Sequence, residues 1–270
     1  AASDVYKRQG QARPELLHTY SEERQVVAQE LIDFDREWAR MFSDRPRHEE
    51  EGGAAAGVDP KAFQAYFEQH GRFTAGVGTH YRPSLICGES THQNLATGFV
   101  IGTRLHSAPV LRVSDARPVH LGHAGKADGR WRLYAFAGAN DLQDRQAGIH
   151  ALCEFLSQSH DSPVRRHTRP GQDVDAVFDV LAIFQQRYTE VAIDRLPGLL
   201  LPPKGRFGLR DYEKVFCPDF KHGPDVFDLR GIDRAQGALV VVRPDQYVAH
   251  VLPLAAHAEL AAFFRRFMLD

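Results

Sequence analysis

An α/β fold is predicted for this chain by three observations. Residues 131–137 form a short apolar, aromatic run behind the turn dipeptide Asp128-Gly129, amphipathic helix patterns follow it, and a branched run, a turn and a second apolar run lie near the C-terminus. The composition agrees: 270 residues, 43% hydrophobic and 25% charged, are the balance of a soluble globular chain.

Taken in order, residues 1–9 carry no apolar period and read as a non-native end. From Pro14 onward, Leu16, Tyr20, Val27, Leu31, Phe34, Trp38 and Phe42 recur at helical steps and make one stripe of a long helix. On its polar face, Asp33 and Glu37 stand at i, i+4. Without accompanying histidines they read as a solvated face rather than an acid/base or metal pair. Residues 43–58 run from charge into small residues and make the best linker. Asp59-Pro60 then caps a short helix carrying Phe63, Tyr66 and Phe67. Residues 76–125, rich in Gly, Pro, Ser and Thr, predict loops and brief strands.

The run 131–137 predicts an interior strand, with Trp131 and Tyr134 as core. Arg130 and Arg132 then point away from Trp131, to pair with acids or to line an interface. Ile149, Leu152, Cys153 and Leu156 predict the next helix, and Val177, Leu181, Phe184 and Tyr188 a second amphipathic helix over 176–188. Residues 238–242, the turn Arg243-Pro244-Asp245 and residues 247–252 predict a strand–turn–strand unit. Leu260, Phe264, Phe267 and Met268 mark a terminal helix.

Several function classes are excluded by what the chain carries. Thirty-three Lys and Arg against 35 Asp and Glu leave 33 − 35 = −2, so no overall field gathers nucleic acid or anionic lipid. No run approaches the roughly 18 apolar residues of a membrane span, and a cytosolic location is expected. Gly76-Val77-Gly78 begins like a dinucleotide fingerprint but has no third glycine, and neither a Walker loop nor a nucleophile elbow occurs. His120 and His123 could face one metal, but the loop around Gly122 imposes no ligand geometry, so they read as loop histidines. Cys87, Cys153 and Cys217 read as reduced, buried thiols. Cys153 has no second cysteine three residues away, with His150 and Leu156 at those places.

Six stretches resemble the phenol hydroxylase family of FAD-dependent aromatic monooxygenases, in its phenol 2-monooxygenase or 3-hydroxybenzoate 4-monooxygenase type. Residues 16–24 and 31–36 resemble the helices after its flavin domain. Residues 104–110, 118–123, 127–138 and 237–245 resemble its C-terminal domain. The resemblance implies a thioredoxin-like domain over 76–270 that helps form a homodimer, preceded over 10–75 by tail helices of the flavin and substrate domain. It further implies FAD, NADPH and a phenolic substrate in a parent enzyme whose N-terminal flavin domain, with its glycine fingerprint, lies ahead of residue 10. This chain alone is then expected to bind neither cofactor, to hold no catalytic or metal residue, and to be inactive. Leu31, Phe34 or Trp38 should be left unusually exposed. The alternatives are a free-standing thioredoxin-like interaction module and a thiol oxidoreductase.

Overall fold

The computed structural model describes residues 10–43, 64–66, 68, 71 and 75–269. Residues 1–9, the linker over 44–58, Asp59-Pro60, Phe63 and Phe67 lie outside the described residues, as does the side chain of Phe42. Among those described, nine strands form: β1 (Pro109–Arg112), β2 (Arg117–His120), β3 (Trp131–Phe136), β4 (Phe178–Ile183), β5 (Pro203–Lys204), β6 (Leu209–Arg210), β7 (Val215–Pro218), β8 (Ala238–Val242) and β9 (Val248–Leu252). The helices are α1 (His18–Ser43), α2 (Leu121–Ala124), α3 (Gly148–Gln158), α4 (Pro163–His167), α5 (Val226–Leu229) and α6 (His257–Arg265).

Seven strands make one mixed sheet in the order β2-β1-β7-β4-β3-β8-β9, while β5 and β6 pair in a separate small hairpin. β3, β4 and β7 run parallel to one another, and the outer pairs are antiparallel. Strand alternation divides the interior in two. Trp131, Leu133 and Ala135 face a core built with α3 and α6, whereas Tyr134 and Phe136 face a second core under residues 95–110 and α5. Trp131 meets Phe264 edge-on at 5.1 Å between ring centroids, so the expected core role is the one it takes.

One element departs from its expected type. Residues 176–188, predicted as an amphipathic helix, contain β4, paired in register with β3 from Phe178 opposite Trp131 to Ile183 opposite Phe136. Both faces of β4 are buried, and a strand covered on both sides is apolar at nearly every position; that pattern also satisfies a helical period. Tyr188, counted in that stripe, is exposed beyond the strand end.

The far edge at β9 is not open. Gly88 donates to the Ala249 carbonyl at 2.7 Å and Gly102 to that of Val248 at 2.8 Å, so the 80–105 loop covers the last strand. Ahead of α1, Arg13 donates to Phe267 and Leu269 to Gln11, both at 2.9 Å, which fastens the first described residues beside α6.

Candidate functional site

Charge collects at the amino ends of the three parallel strands. Arg132 on β3 lies opposite Asp179 on β4, and its Nε is 3.2 Å from an Asp179 oxygen. Arg130, just before β3, reaches Asp128 at 2.7 Å, Asp175 at 3.1 Å and Asp179 at 3.6 Å. Lys214, just before β7, bonds Asp175 at 2.6 Å and also Asp179, with Asp211 at 3.7 Å. Lys204 on β5 bonds Asp175 and lies 3.6 Å from Asp173. Arg132, Asp175, Asp179 and Lys214 are buried, so this is an interior network, and its ionisation follows from its pairing. Burial raises Asp175, but Lys214 and Lys204 outweigh it and hold the carboxyl at about 2. Burial lowers Lys214, while Asp179 and Asp175 bring it above the usual lysine range. Arg132 and Lys214 thus lie against Asp175 and Asp179 as paired interior charges.

At the opposite, carboxyl ends of the parallel strands, where open α/β sheets place their ligands, the turn after β3 is closed by its own side chain. Asp141 accepts from Gly138 N at 2.9 Å and from Ile149 N at 3.2 Å, sealing the start of α3. Gly148 is held at φ +53°, and a Cβ there would stand 2.0 Å from the Asp141 carboxylate. FAD and NADPH both carry a pyrophosphate, which needs free backbone N–H groups at such a helix start. With the Asp141 carboxylate already in that place, the residues here do not fit a dinucleotide. The Gly76–Gly78 stretch leads into a loop bridging His80 to Thr103, not into a helix.

The thiols are equally closed. Cys87, Cys153 and Cys217 are free and buried, and burial pushes each up to about 12, far from the depressed value of an attacking thiol. The rings of His120 and His123 lie 5.6 Å apart at the start of α2, and both side chains are exposed. Among the described residues no group of three or more His, Cys, Asp or Glu could hold a metal. Nor, among them, is any helix long and apolar enough to cross a membrane.

Two surface features remain. The first is α1. It is clamped near its start by Glu23, whose carboxylate binds Arg243 at 2.5 and 2.9 Å, while Asp245 holds the same guanidinium at 2.7 Å between the rings of Tyr81 and Tyr247. Beyond the clamp the helix stands open: Leu31 is 54% exposed, with Val26 and Ile32 also exposed. Phe34 and Trp38 are half-buried; Phe34 stacks with both Trp38 and Tyr66, Trp38 meets Tyr66 at a tilt, and Tyr66 donates to Glu37 at 2.9 Å. Of the expected exposures, then, Leu31 has it and the two aromatics do not. Asp33, with Gln29 and Arg36 beside it, lies on the solvated face.

The second feature is the β5–β6 hairpin. Its four-residue connection uses Gly205 and Gly208 at φ +61° each and presents Phe207, 74% exposed, while Leu209 at the start of β6 is 71% exposed. Its root is tied to the charge network through Lys204, through Gly205 N on Asp173 at 2.8 Å, and through Asp211 N on the Pro202 carbonyl at 2.9 Å.

Of the residues weighed from sequence, Arg130 and Arg132 do point away from Trp131 and pair with acids; Cys153 packs; His120 and His123 gather no third ligand among the described residues. Sequence reasoning missed Asp175, Asp179, Lys204 and Lys214. The one local signal was Asp179 inside an apolar run, which demands a buried cation opposite it.

Comparison with known proteins bears on this arrangement. A family model described as the phenol hydroxylase C-terminal dimerisation domain matches residues 79–270. A 3-hydroxybenzoate 4-monooxygenase of Comamonas testosteroni is 68% identical over 259 residues, covering 96% of this chain and 40% of that protein. An FAD-dependent monooxygenase, terD, of Aspergillus terreus is 35% identical over 265 residues, covering 96% of this chain and 42% of that protein. The chain thus spans about two fifths of the length of these curated relatives. The crystal structure of the flavin-dependent monooxygenase PieE shares the fold, with TM-score 0.50 at 16% identity over 98% of this chain and 41% of that one.

Proposed function

The chain belongs to the phenol hydroxylase C-terminal dimerisation domain family, and on that premise we propose that it is the dimerisation and support region of a flavin-dependent hydroxylase of phenolic rings. The match over residues 79–270 carries the reading. In this proposal the parent enzyme uses FAD and NADPH in a flavin domain outside this chain, acts on a phenolic substrate in the cytosol, and is a homodimer. Residues 76–270 form the dimerisation domain, and residues 10–75 are tail helices that lie against the flavin domain. The exposure of Leu31, on the apolar stripe it shares with Val27, Phe34 and Trp38, supports that last assignment, because the apolar stripe of an amphipathic helix is ordinarily covered.

A thioredoxin-like core is part of the proposal. β3, α3 and β4 make a parallel unit, the antiparallel pair β8–β9 adjoins it in the order β4-β3-β8-β9, and α6 closes the chain. On such a core the helix start that redox proteins use for an attacking thiol is taken here by Asp141, and support rather than thiol chemistry follows.

The test mixes purified chain with FAD and passes it through gel filtration. Colourless protein eluting as a dimer is expected. Yellow flavin retained on the protein, or NADPH oxidation stimulated by a phenol, overturns the assignment of a non-catalytic region.

A further inference from the structure

We propose that the cavity overhung by the loops after β4 and β7 is a binding site for a small aromatic carboxylate, a single ring carrying one ionised carboxyl group. The inference goes beyond the dimerisation reading and stands or falls separately from it.

The cavity lies on the β2-β1-β7 side of the sheet. Leu111 on β1 and Pro118 on β2 stand opposite each other and form its floor. The loop after β4 brings Arg187 and Tyr188 to the rim, and the loop after β7 brings Phe220 and Lys221. Between them lie about 310 Å³, near the lower limit for small-molecule pockets and the room that a single-ring ligand needs. The turn after β3 is sealed by Asp141, whereas the two loops here leave their space open.

Both walls are tied in place by their own bonds. The Cys217 thiol, opposite Leu111 on β7, accepts from the Tyr188 amide and donates to the Leu111 carbonyl at 3.7 Å, which fastens the first loop to the floor. Buried Asp219 accepts from the Lys221 and His222 amides at 3.0 and 3.2 Å, which closes the second loop into a turn. Gly223 then packs on Pro109, where a Cβ would stand 2.7 Å from the proline ring. Walls that are already ordered lose little contact energy to ordering when a ligand binds.

The lining sets the chemistry of the occupant. Tyr188 and Phe220 are 42% and 52% exposed on the rim of one cavity, above a floor that is also apolar. A ligand ring gains from such walls by burial and by ring–ring contact. Charge then narrows the class. Arg187 and Lys221 have no carboxylate partner among the described residues, and the Arg187 guanidinium stands 5.9 Å from the centre of the Phe220 ring, so it reaches across from one loop to the other. Asp219, the acid in this lining, is already matched: besides the two amides, His222 Nδ1 lies 3.2 Å from its Oδ2, and its side chain is 4% exposed. Two unmatched cations beside one matched carboxylate favour an anion. On a single ring a carboxyl group is ionised above about pH 4, whereas a phenol keeps its proton to about pH 10. A planar carboxylate also suits the guanidinium fork of Arg187.

The experiment titrates the 270-residue chain with sodium benzoate at pH 7 in a calorimeter. One site per chain is expected, with a dissociation constant below about 1 mM. Benzamide, which has the same shape without the charge, and acetate, which has the charge without the ring, should each bind about tenfold more weakly or worse. Arg187→Gln, Lys221→Gln and Phe220→Ala each change an exposed side chain, and circular dichroism checks that all three stay folded. Each should raise the benzoate dissociation constant about tenfold or more. In the nitrogen-15-labelled chain, benzoate should shift the amide resonances of residues 187–190 and 219–223 ahead of all others. No saturable benzoate binding up to about 10 mM overturns the proposal. Benzamide that binds as well as benzoate overturns recognition of the carboxylate, and acetate that does so overturns recognition of the ring. Folded variants that bind benzoate as the unaltered chain does, or shifts centred elsewhere, overturn this cavity as the site. None of these results alters the dimerisation reading, which is tested by elution as a dimer.

Discussion

Lys214 shows what a single buried charge commits the chain to. Its ammonium answers Asp175 and Asp179 at once, so replacing it by Met leaves two interior carboxylates short of a cation. Breaking a buried pair from one side costs about 3–5 kcal/mol, and urea denaturation of Lys214→Met should show a loss of that order. Acid should act on the same network. Asp175 sits at about 2 in the folded chain against about 3.9 when unfolded. A carboxyl depressed by folding contributes stability that is fully present above about pH 4 and is lost as the pH falls toward 2. Hydrogen exchange across residues 203–212 should therefore quicken over that window, ahead of the strands, because Lys204 holds the hairpin root through Asp175.

At the scale of elements, α1 is attached by few bonds for its length. The Glu23–Arg243 pair and the burial of Ala12 and Leu16 ahead of the helix fasten one end, while Leu31 and Ile32 face solvent. Glu23→Gln removes the charge and the paired acceptors that Arg243 grips. Amide protection along residues 18–43 should fall while protection in β3 and β4 is unchanged; equal losses in both would mean that α1 unfolds only with the core. β4 makes the complementary point. Its sequence is apolar because it is covered on both faces, and the two periodicities cannot be told apart until β3 and β7 are known to flank it.

For the whole molecule, the proposed dimerisation ties stability to concentration. A chain that associates only when folded should melt at a higher temperature as protein concentration rises, and a melting temperature independent of concentration would count against association of the folded state. Much of the architecture was legible beforehand. The strand at Trp131, the helix carrying Cys153, the pair β8–β9 and the terminal helix are written locally, since turn residues and apolar periods act within a few positions. The direction of Arg130 and Arg132 was likewise implied by strand alternation. Only the tertiary structure decided that Asp175, Asp179, Lys204 and Lys214 meet, that Asp141 closes the start of α3, and that Phe207 and Leu209 stand uncovered on the β5–β6 hairpin. Backbone pattern is a short-range property of neighbouring residues. Charge pairing and burial depend on which distant segments the sheet order brings side by side, and no local period encodes that order.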